Sequence, residues 1–388
     1  MVRVGALDLA PLLTAPTPTM PTHRQAMNAV AHLRHLARLD TNGPELIGSV
    51  LELLHTLIGF DSSGYFYTGS DGDLGVHMEH ADVLAAVPDH FDPRILRSER
   101  AVFHNVLQNA SDITRHRLGP QTLTQMLTVP YGGLLRSDYY NVVMRPAGVG
   151  DWLSLALRTV EGRGVGILFL FRPPGAAPFR PDEVAMLARL EPSLARVLQP
   201  CDLEAGDSEA CGQGVLAVSS IGSLLWTSEQ ADVLLAKAFG WRWRQDHARY
   251  GPLPLPLQLL MQRLQWRAPD ATRHSGVLWP QMEVRNAHGR FVLQAIPLNS
   301  AEGAGQAVAI HITQRVARSA LLLADLRAKG LPQRQRELAY WLAHGLPESQ
   351  IAARMGISVN TVVYHRRQLY ARMGVVSRAD LMAQLRIP

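Results

Sequence analysis

Two helix-length stretches near the C-terminus are joined by Met355-Gly356-Ile357-Ser358, and this junction constrains the fold more than any other feature of the chain. Pro332 stands where a helix start tolerates a missing N–H, and Leu338 and Leu342 give an inward face that stops at Gly345. Pro347-Glu348 opens a second helix with Ile351, Ala352 and Met355 inward, and Gly356 ends it. Ser358 is placed to cap a third helix, whose stripe is Val362, Leu369 and Met373 with His365 midway. Gly374 stops that helix, and Ser377 can cap a fourth carrying Leu381 and Leu385. By spacing this is a helix-turn-helix. Its second helix leaves Val359, Asn360, Val363, Tyr364, Arg366, Arg367 and Tyr370 mostly outside the core. Arginine, asparagine and tyrosine on one face suit phosphates and base edges, and a capped helix N-terminus offers N–H groups to a phosphate. On spacing alone, the alternative is a small packing domain with a solvated charged face.

Charge distribution agrees with the first reading. Between Leu321 and Pro388 ten basic residues face four acidic ones, whereas the whole chain of 388 residues carries a formal +5. A positive end on a near-neutral body points to a polyanion. Only Lys237 and Lys329 are lysines. The chain has no run of eighteen apolar residues, so no membrane-spanning helix is expected, and Met1 to Pro11 makes a poor signal peptide. The two cysteines, Cys201 and Cys211, fit a reduced cytoplasmic protein better than a disulfide framework.

Upstream, the prolines Pro16, Pro18 and Pro21 mark 1–21 as a disordered tail. Apolar periodicity predicts helices over His23 to Leu39, Glu45 to Ile58 and Pro181 to Leu198. Strands are expected at Ser63 to Thr68, Asn141 to Arg145, Trp152 to Arg158 and Val165 to Phe171, the last fully apolar and hence central. After a polar stretch come strands Val215 to Ser219 and Leu224 to Thr227. A helix Glu229 to Phe239 capped by Ser228 follows, then a helix near Leu257 to Trp266. Strands Val277 to Val284, Phe291 to Leu298 and Val308 to Thr313 complete this unit. The expected fold class is multidomain α+β: two α/β sensor-like domains, each an antiparallel sheet with flanking helices, followed by an all-α four-helix helix-turn-helix domain. The expected boundaries are 22–199, a linker 200–213, 214–316, a helical linker 317–329 and 330–388.

Leu331 to Leu385 resembles the DNA-binding domain of the LuxR family. The matching words are Arg334, Glu337, Gly345, Ile351-Ala352, Gly356-Ile357-Ser358, Thr361-Val362, His365-Arg366-Arg367, Gly374-Val375 and Ser377-Arg378-Ala379. The resemblance implies that the third helix enters the major groove, with Val363, Tyr364 and Arg367 reading bases. Ser358, Thr361, His365 and Arg366 would hold phosphates, with Asn360 on the same surface. It also implies that the fourth helix pairs two subunits on double-stranded DNA as a homodimer. Pro332, Gln335, Pro347 and Val363 depart from the family pattern. Val363 stands where a lysine is common, exchanging a cation for a methyl contact.

Residues 44–199 resemble a GAF sensor domain. The carrying stretches are Asp61 to Tyr67, Asp138 to Asn141, Gly164 to Arg172 and Pro178 to Glu183. Residues 213–314 resemble a PAS domain in element order. The first resemblance implies a small-molecule pocket, with Tyr65, Tyr67, His104, Tyr139, Tyr140, Trp152 and Phe169 as candidate lining residues. The alternative for these rings is ordinary core.

No cofactor or metal is expected. His77-Met78-Glu79-His80 and the His32/His35 pair read as surface rather than metal ligands. Gly162 to Gly166 lacks the following helix that a phosphate loop needs, and no nucleophile–base pair is evident. The expected function is therefore a non-enzymatic, ligand-responsive transcription regulator. Two alternatives stand beside it: ligand-free dimerisation modules on the same DNA-binding domain, or an enzyme regulated by that domain.

Overall fold

The computed structural model describes residues 23–37, 43–68, 74–104, 106–107, 111–115, 119–199, 208–243, 253–265, 279–299 and 306–385. The expected tail 1–21, most of the expected linker, and the ends of the helices at Leu39 and Trp266 lie outside them.

The first unit is a five-stranded antiparallel sheet in the order β2-β1-β5-β4-β3. Its strands are β1 (Ser62–Thr68), β2 (Leu74–Met78), β3 (Gln121–Thr122), β4 (Asp151–Arg158) and β5 (Gly164–Arg172). The apolar run Val165 to Phe171 is the central strand, as its composition predicts. β1 and β5 are buried on both faces, and alternation divides their side chains. Tyr65, Tyr67, Leu168 and Leu170 join a core with α1 (His23–Leu36), α2 (Ile47–Leu57) and, further along the chain, α4 (Pro181–Leu198). Phe66, Ile167, Phe169 and Phe171 face a second core beneath the segment between β2 and β4, which includes α3 (Pro93–Val102). Gly166 is required here because a Cβ would run into the Tyr65 ring and the Phe66 carbonyl.

The expected strand Asn141 to Arg145 is instead a turn of wide helix over Tyr140–Met144, closed by Arg145 N–H donating to the Tyr140 carbonyl at 2.8 Å. Local polar side chains override the β-branched pair Val142-Val143. Ser137 Oγ accepts from Tyr140 N, and Asn141 Nδ2 donates to the carbonyls of Leu135 and Ser137. Such side-chain bonds offer the backbone an alternative to a strand ladder.

The second unit repeats the strand order as β7-β6-β10-β9-β8. Its strands are β6 (Ser208–Ser219), β7 (Leu224–Thr227), β8 (Gln281–Asn286), β9 (Gly289–Asn299) and β10 (Gln306–Ala317). Helices α5 (Glu229–Phe239) and α6 (Leu255–Gln265) cover one face, burying Leu234, Leu235, Leu257 and Leu260 against Phe291, Leu293, Ile310 and Ile312. Ser228 caps α5 as expected, its Oγ accepting from Ala231 N. The linker expected at 200–213 is corrected at its C-terminal end, because Ser208 to Gln213 belong to β6 and pair with β10. Gly212 and the adjoining Gly214 serve close approach rather than flexibility: a Cβ on Gly212 would crowd Gln230 and Leu234, and one on Gly214 would overlap the backbone of Ala231.

From β10 the chain passes directly into α7 (Arg318–Ala328) and the C-terminal helices α8 (Gln333–Ala343), α9 (Glu348–Met355), α10 (Val359–Met373) and α11 (Arg378–Gln384). Leu322, Leu326, Leu338, Trp341 and Leu342 are continuous with the core formed by α1 and α2, so the helical unit is seated on the first unit. Among the described residues no helix is long and apolar enough to cross a membrane.

Candidate nucleic-acid interface

α9 and α10 meet at a turn whose geometry follows from two residues. Gly356 takes φ 64°, ψ 38° at the end of α9, a left-handed conformation that costs glycine nothing sterically. Ser358 then caps α10, its Oγ accepting from Thr361 N at 3.1 Å and lying 2.8 Å from Thr361 Oγ1. Gly374 at φ 66° stops α10, and Ser377 with Asp380 forms a reciprocal capping box on α11. Pro332 and Pro347 begin α8 and α9 without a side-chain cap. Val362 and Leu369 anchor α10, both wholly buried with Leu338, Ile351 and Leu381.

The opposite face of α10 is open. Asn360, Tyr364 and Arg367 are exposed and Val363 is half-buried, and their spacing aligns them along one side of the helix. Tyr364 is 57% exposed, and its hydroxyl accepts from Gln368 Nε2 at 2.6 Å, which holds an aromatic ring outward in water. α10 contains no acidic residue, so Arg367 and Arg372 are uncompensated along their own helix. Ser358 is exposed, and Thr361 and His365 are half-buried on the adjoining strip.

Arg366 stands apart from the other expected contacts. Its guanidinium pairs with Glu348 of α9 and lies 5.8 Å from the Tyr370 ring. It braces the two helices instead of pointing outward with Arg367. Other arginines are also structural: Arg378 donates to the Leu342 and Leu346 carbonyls at the end of α8, and Arg354 stacks 4.5 Å over Trp341.

Sequence reasoning missed the seam between this unit and α1. Glu337 Oε1 lies 3.3 Å from His35 Nδ1, with the two side chains 9% and 6% exposed. Glu337 also pairs with Arg334, and the His35 ring packs edge-on to Trp341 and Tyr340. Arg327 of α7 pairs with Glu52 at 3.1 Å and donates to Ser49, both on α2. Burial, then Arg336 and Arg327, push the neighbouring His32 imidazole down to about 4. The His32/His35 spacing and Glu337, the only acid of α8, were the available signals.

The candidate small-molecule residues divide by face. Tyr139, Trp152 and Phe169 line a cavity of about 80 Å³ beneath the second face of the first sheet. Tyr65 and Tyr67 do not, because alternation along β1 turns them to the α1/α2 side and presents Phe66 instead. His104 is exposed, and Tyr140 packs against the surrounding core without lining the cavity. His90, Glu99 and three methionines, Met78, Met126 and Met144, complete the wall and were not foreseen. His77 and Glu79 have these neighbours: Glu79 accepts from Ser63 and pairs with His55, and His77 lies against His288.

The C-terminal geometry defines a four-helix domain with a helix-turn-helix at its centre. Residues 329–384 match the family model described as bacterial regulatory proteins, luxR family, and they form a LuxR-family helix-turn-helix domain. Over 55 residues the chain is 51% identical to the probable transcriptional regulatory protein SgaR of Hyphomicrobium methylovorum, covering 14% of this chain and 26% of that protein. Over 66 residues it is 36% identical to the transcriptional regulatory protein UhpA of Escherichia coli K12, covering 17% and 34% respectively. The chain thus spans between a quarter and about a third of the length of these relatives. Among solved structures, a VqmA–ligand–DNA complex from Vibrio cholerae is 17% identical with a TM-score of 0.25, covering 46% of this chain and 82% of that one. The sensor region of a sensor histidine kinase is 14% identical with a TM-score of 0.18, covering 76% and 94%. Overlaps this slight carry nothing over to this chain.

Proposed function

We propose that this protein is a cytoplasmic transcription regulator that binds duplex DNA through α10, with GAF-like and PAS-like units upstream as its sensory part. The observation that carries the reading is the open, acid-free face of α10, on which Asn360, Val363, Tyr364 and Arg367 align within a domain of the luxR family. Val363 and Tyr364 would contact base edges and Arg367 would make the two-pronged contact that suits guanine. Ser358, Thr361 and His365 would meet phosphates beside the helix N-terminus. The relatives named above are both described as transcriptional regulatory proteins, and both upstream sheets share one antiparallel strand order, which supports a pair of related sensory folds.

The test is enrichment of binding sites from genomic fragments by the full chain, with and without pooled metabolites. The expected result is a two-fold motif with half-sites about 10 base pairs apart. Recovery of no enriched motif at about 50 mM salt, where phosphate contacts are strongest, defeats the proposal. A second reading, in which the PAS-like unit pairs copies of the chain without a ligand, is favoured by one observation. Its edge strand β7 exposes Trp226 at 70% and Leu225 at 43%.

A further inference from the structure

We infer that the cavity of the first unit is a site for a small neutral molecule that is mostly hydrocarbon and carries one hydroxyl group, which it donates to His90 Nε2. The inference rests on the sensory reading of that unit and assigns the chemistry of what it senses.

The wall sets the ligand's body. Phe66, Phe103, Val143, Trp152, Phe169 and Phe171 are buried apolar groups around the cavity, and among the described residues no lysine or arginine lines it. An anion would lose its hydration without a compensating charge. A cation is less simply excluded, because Glu99 lines the wall, and the choice falls to His90.

His90 is 8% exposed. Burial pushes its imidazole down to about 4, against a hydrogen bond with the Leu107 backbone that acts the other way. The ring is therefore neutral at pH 7. A backbone carbonyl can only accept, so the nitrogen facing Leu107 carries the single proton. The other nitrogen, Nε2, is then a bare acceptor, and it is buried with no partner. A buried polar atom left without a partner costs free energy, and here its residue lines a space of about 80 Å³. An incoming O–H satisfies it. An ether, ketone or ester oxygen cannot, since both atoms would be acceptors. An ammonium would satisfy Nε2, but its charge would be buried in this apolar shell at a cost that one carboxylate offsets poorly. Tyr139, also lining the space, is kept protonated by burial and then by Glu99, so its phenol remains available as a second neutral partner.

Size narrows the class further. A cavity of about 150 Å³ holds benzene, so 80 Å³ takes a chain of roughly three to five non-hydrogen atoms. The flexible side chains of Met78, Met126 and Met144 allow modest enlargement.

The experiment uses the full chain with butan-1-ol, and with its isomeric ether 1-methoxypropane and pentane as matched probes of the same size without a donor. Binding is followed by Trp152-dependent fluorescence and calorimetry. The expected dissociation constant for butan-1-ol is about 10 μM to 1 mM, set by what so few atoms can supply, with binding at least tenfold tighter than for either control. On binding, the His90 Nε2 nitrogen resonance moves from its bare-acceptor position, while Nδ1 keeps its proton. In His90→Phe the preference for the alcohol over the ether falls to less than threefold. Ala147→Leu fills the cavity while leaving His90 intact, and it abolishes binding of all three. Equal affinity for butan-1-ol and its ether in the unaltered chain, a mute His90 resonance, or no binding of any probe overturns the inference. Motif enrichment by the same preparation separates that failure from failure of the DNA-binding proposal.

Discussion

The two adjacent arginines of α10 provide a discriminating measurement. Arg367 is exposed on the open face, while Arg366 is paired with Glu348 and its side chain is 35% exposed. If Arg367 makes a two-pronged contact to guanine, Arg367→Ala costs about 1–3 kcal/mol of specific binding, which is roughly 5- to 150-fold. Arg366 is already neutralised within the protein and releases no counterion when DNA binds. Arg366→Ala should therefore leave the slope of log K against log salt unchanged to within about 0.3, where loss of a true phosphate contact would flatten it by about 0.9. Its cost should fall on stability instead, about 1 kcal/mol for a pair this open to water. Glu348→Gln, which frees the guanidinium, should steepen the slope by up to about 0.9. The assay is fluorescence anisotropy on the enriched operator between 50 and 200 mM salt, a range over which about six contacts change affinity a thousandfold. A flattened slope for Arg366→Ala would show that the pair opens on DNA and that the bracing role assigned to it is wrong.

Leu369 is wholly buried and one of two anchors of α10, so Leu369→Ala should destabilise the C-terminal domain by about 2–5 kcal/mol, read as an earlier thermal transition with DNA binding lost. Gly214→Val should cost about 1–3 kcal/mol by forcing β6 away from the Ala231 backbone, and an unchanged urea midpoint would contradict the packing role of that glycine. Stability should also fall with acid. His32 and His90 are held near 4 in the folded chain against an ordinary 6.5, so the unfolded chain takes up protons first. Their contribution is complete above pH 6.5 and is lost between pH 6.5 and 4, at most about 3 kcal/mol for each. Urea unfolding at pH 7.5 and pH 5 measures it, and equal midpoints refute it.

What could be read from the residues in advance was local. The bounds of α5 and its Ser228 cap, the turn at Gly356 and the cap at Ser358 depend on neighbours a few positions away, and all are present as expected. β1 shows the limit. A strand buried on both faces carries no polar alternation to tell its faces apart, so Tyr65 and Phe66 could not be assigned to sides, and a shift of one residue exchanges them. Gly212 read as linker because the helix that crowds it lies downstream, at Gln230 and Leu234. The pairing of Arg366 with Glu348, eighteen positions apart, and of Glu337 with His35 is tertiary and leaves no periodic trace.

The buried His35–Glu337 pair also explains how the DNA-binding domain is held. Leu338, Trp341 and Leu342 of α8 pack on α1 through apolar surface, and such contact is non-directional. Alone it would let α8 slide or turn by a step without great loss. Glu337 narrows that freedom, because a displaced register takes its buried carboxylate away from His35 and leaves it only Arg334 of its own helix. Arg327, tied to Glu52 and Ser49, fixes the preceding helix to the same unit. The direction of α10 relative to the first sheet is thereby set by two polar latches on an apolar bed. The proposed recognition of paired half-sites at one spacing draws on a fixed direction of this kind.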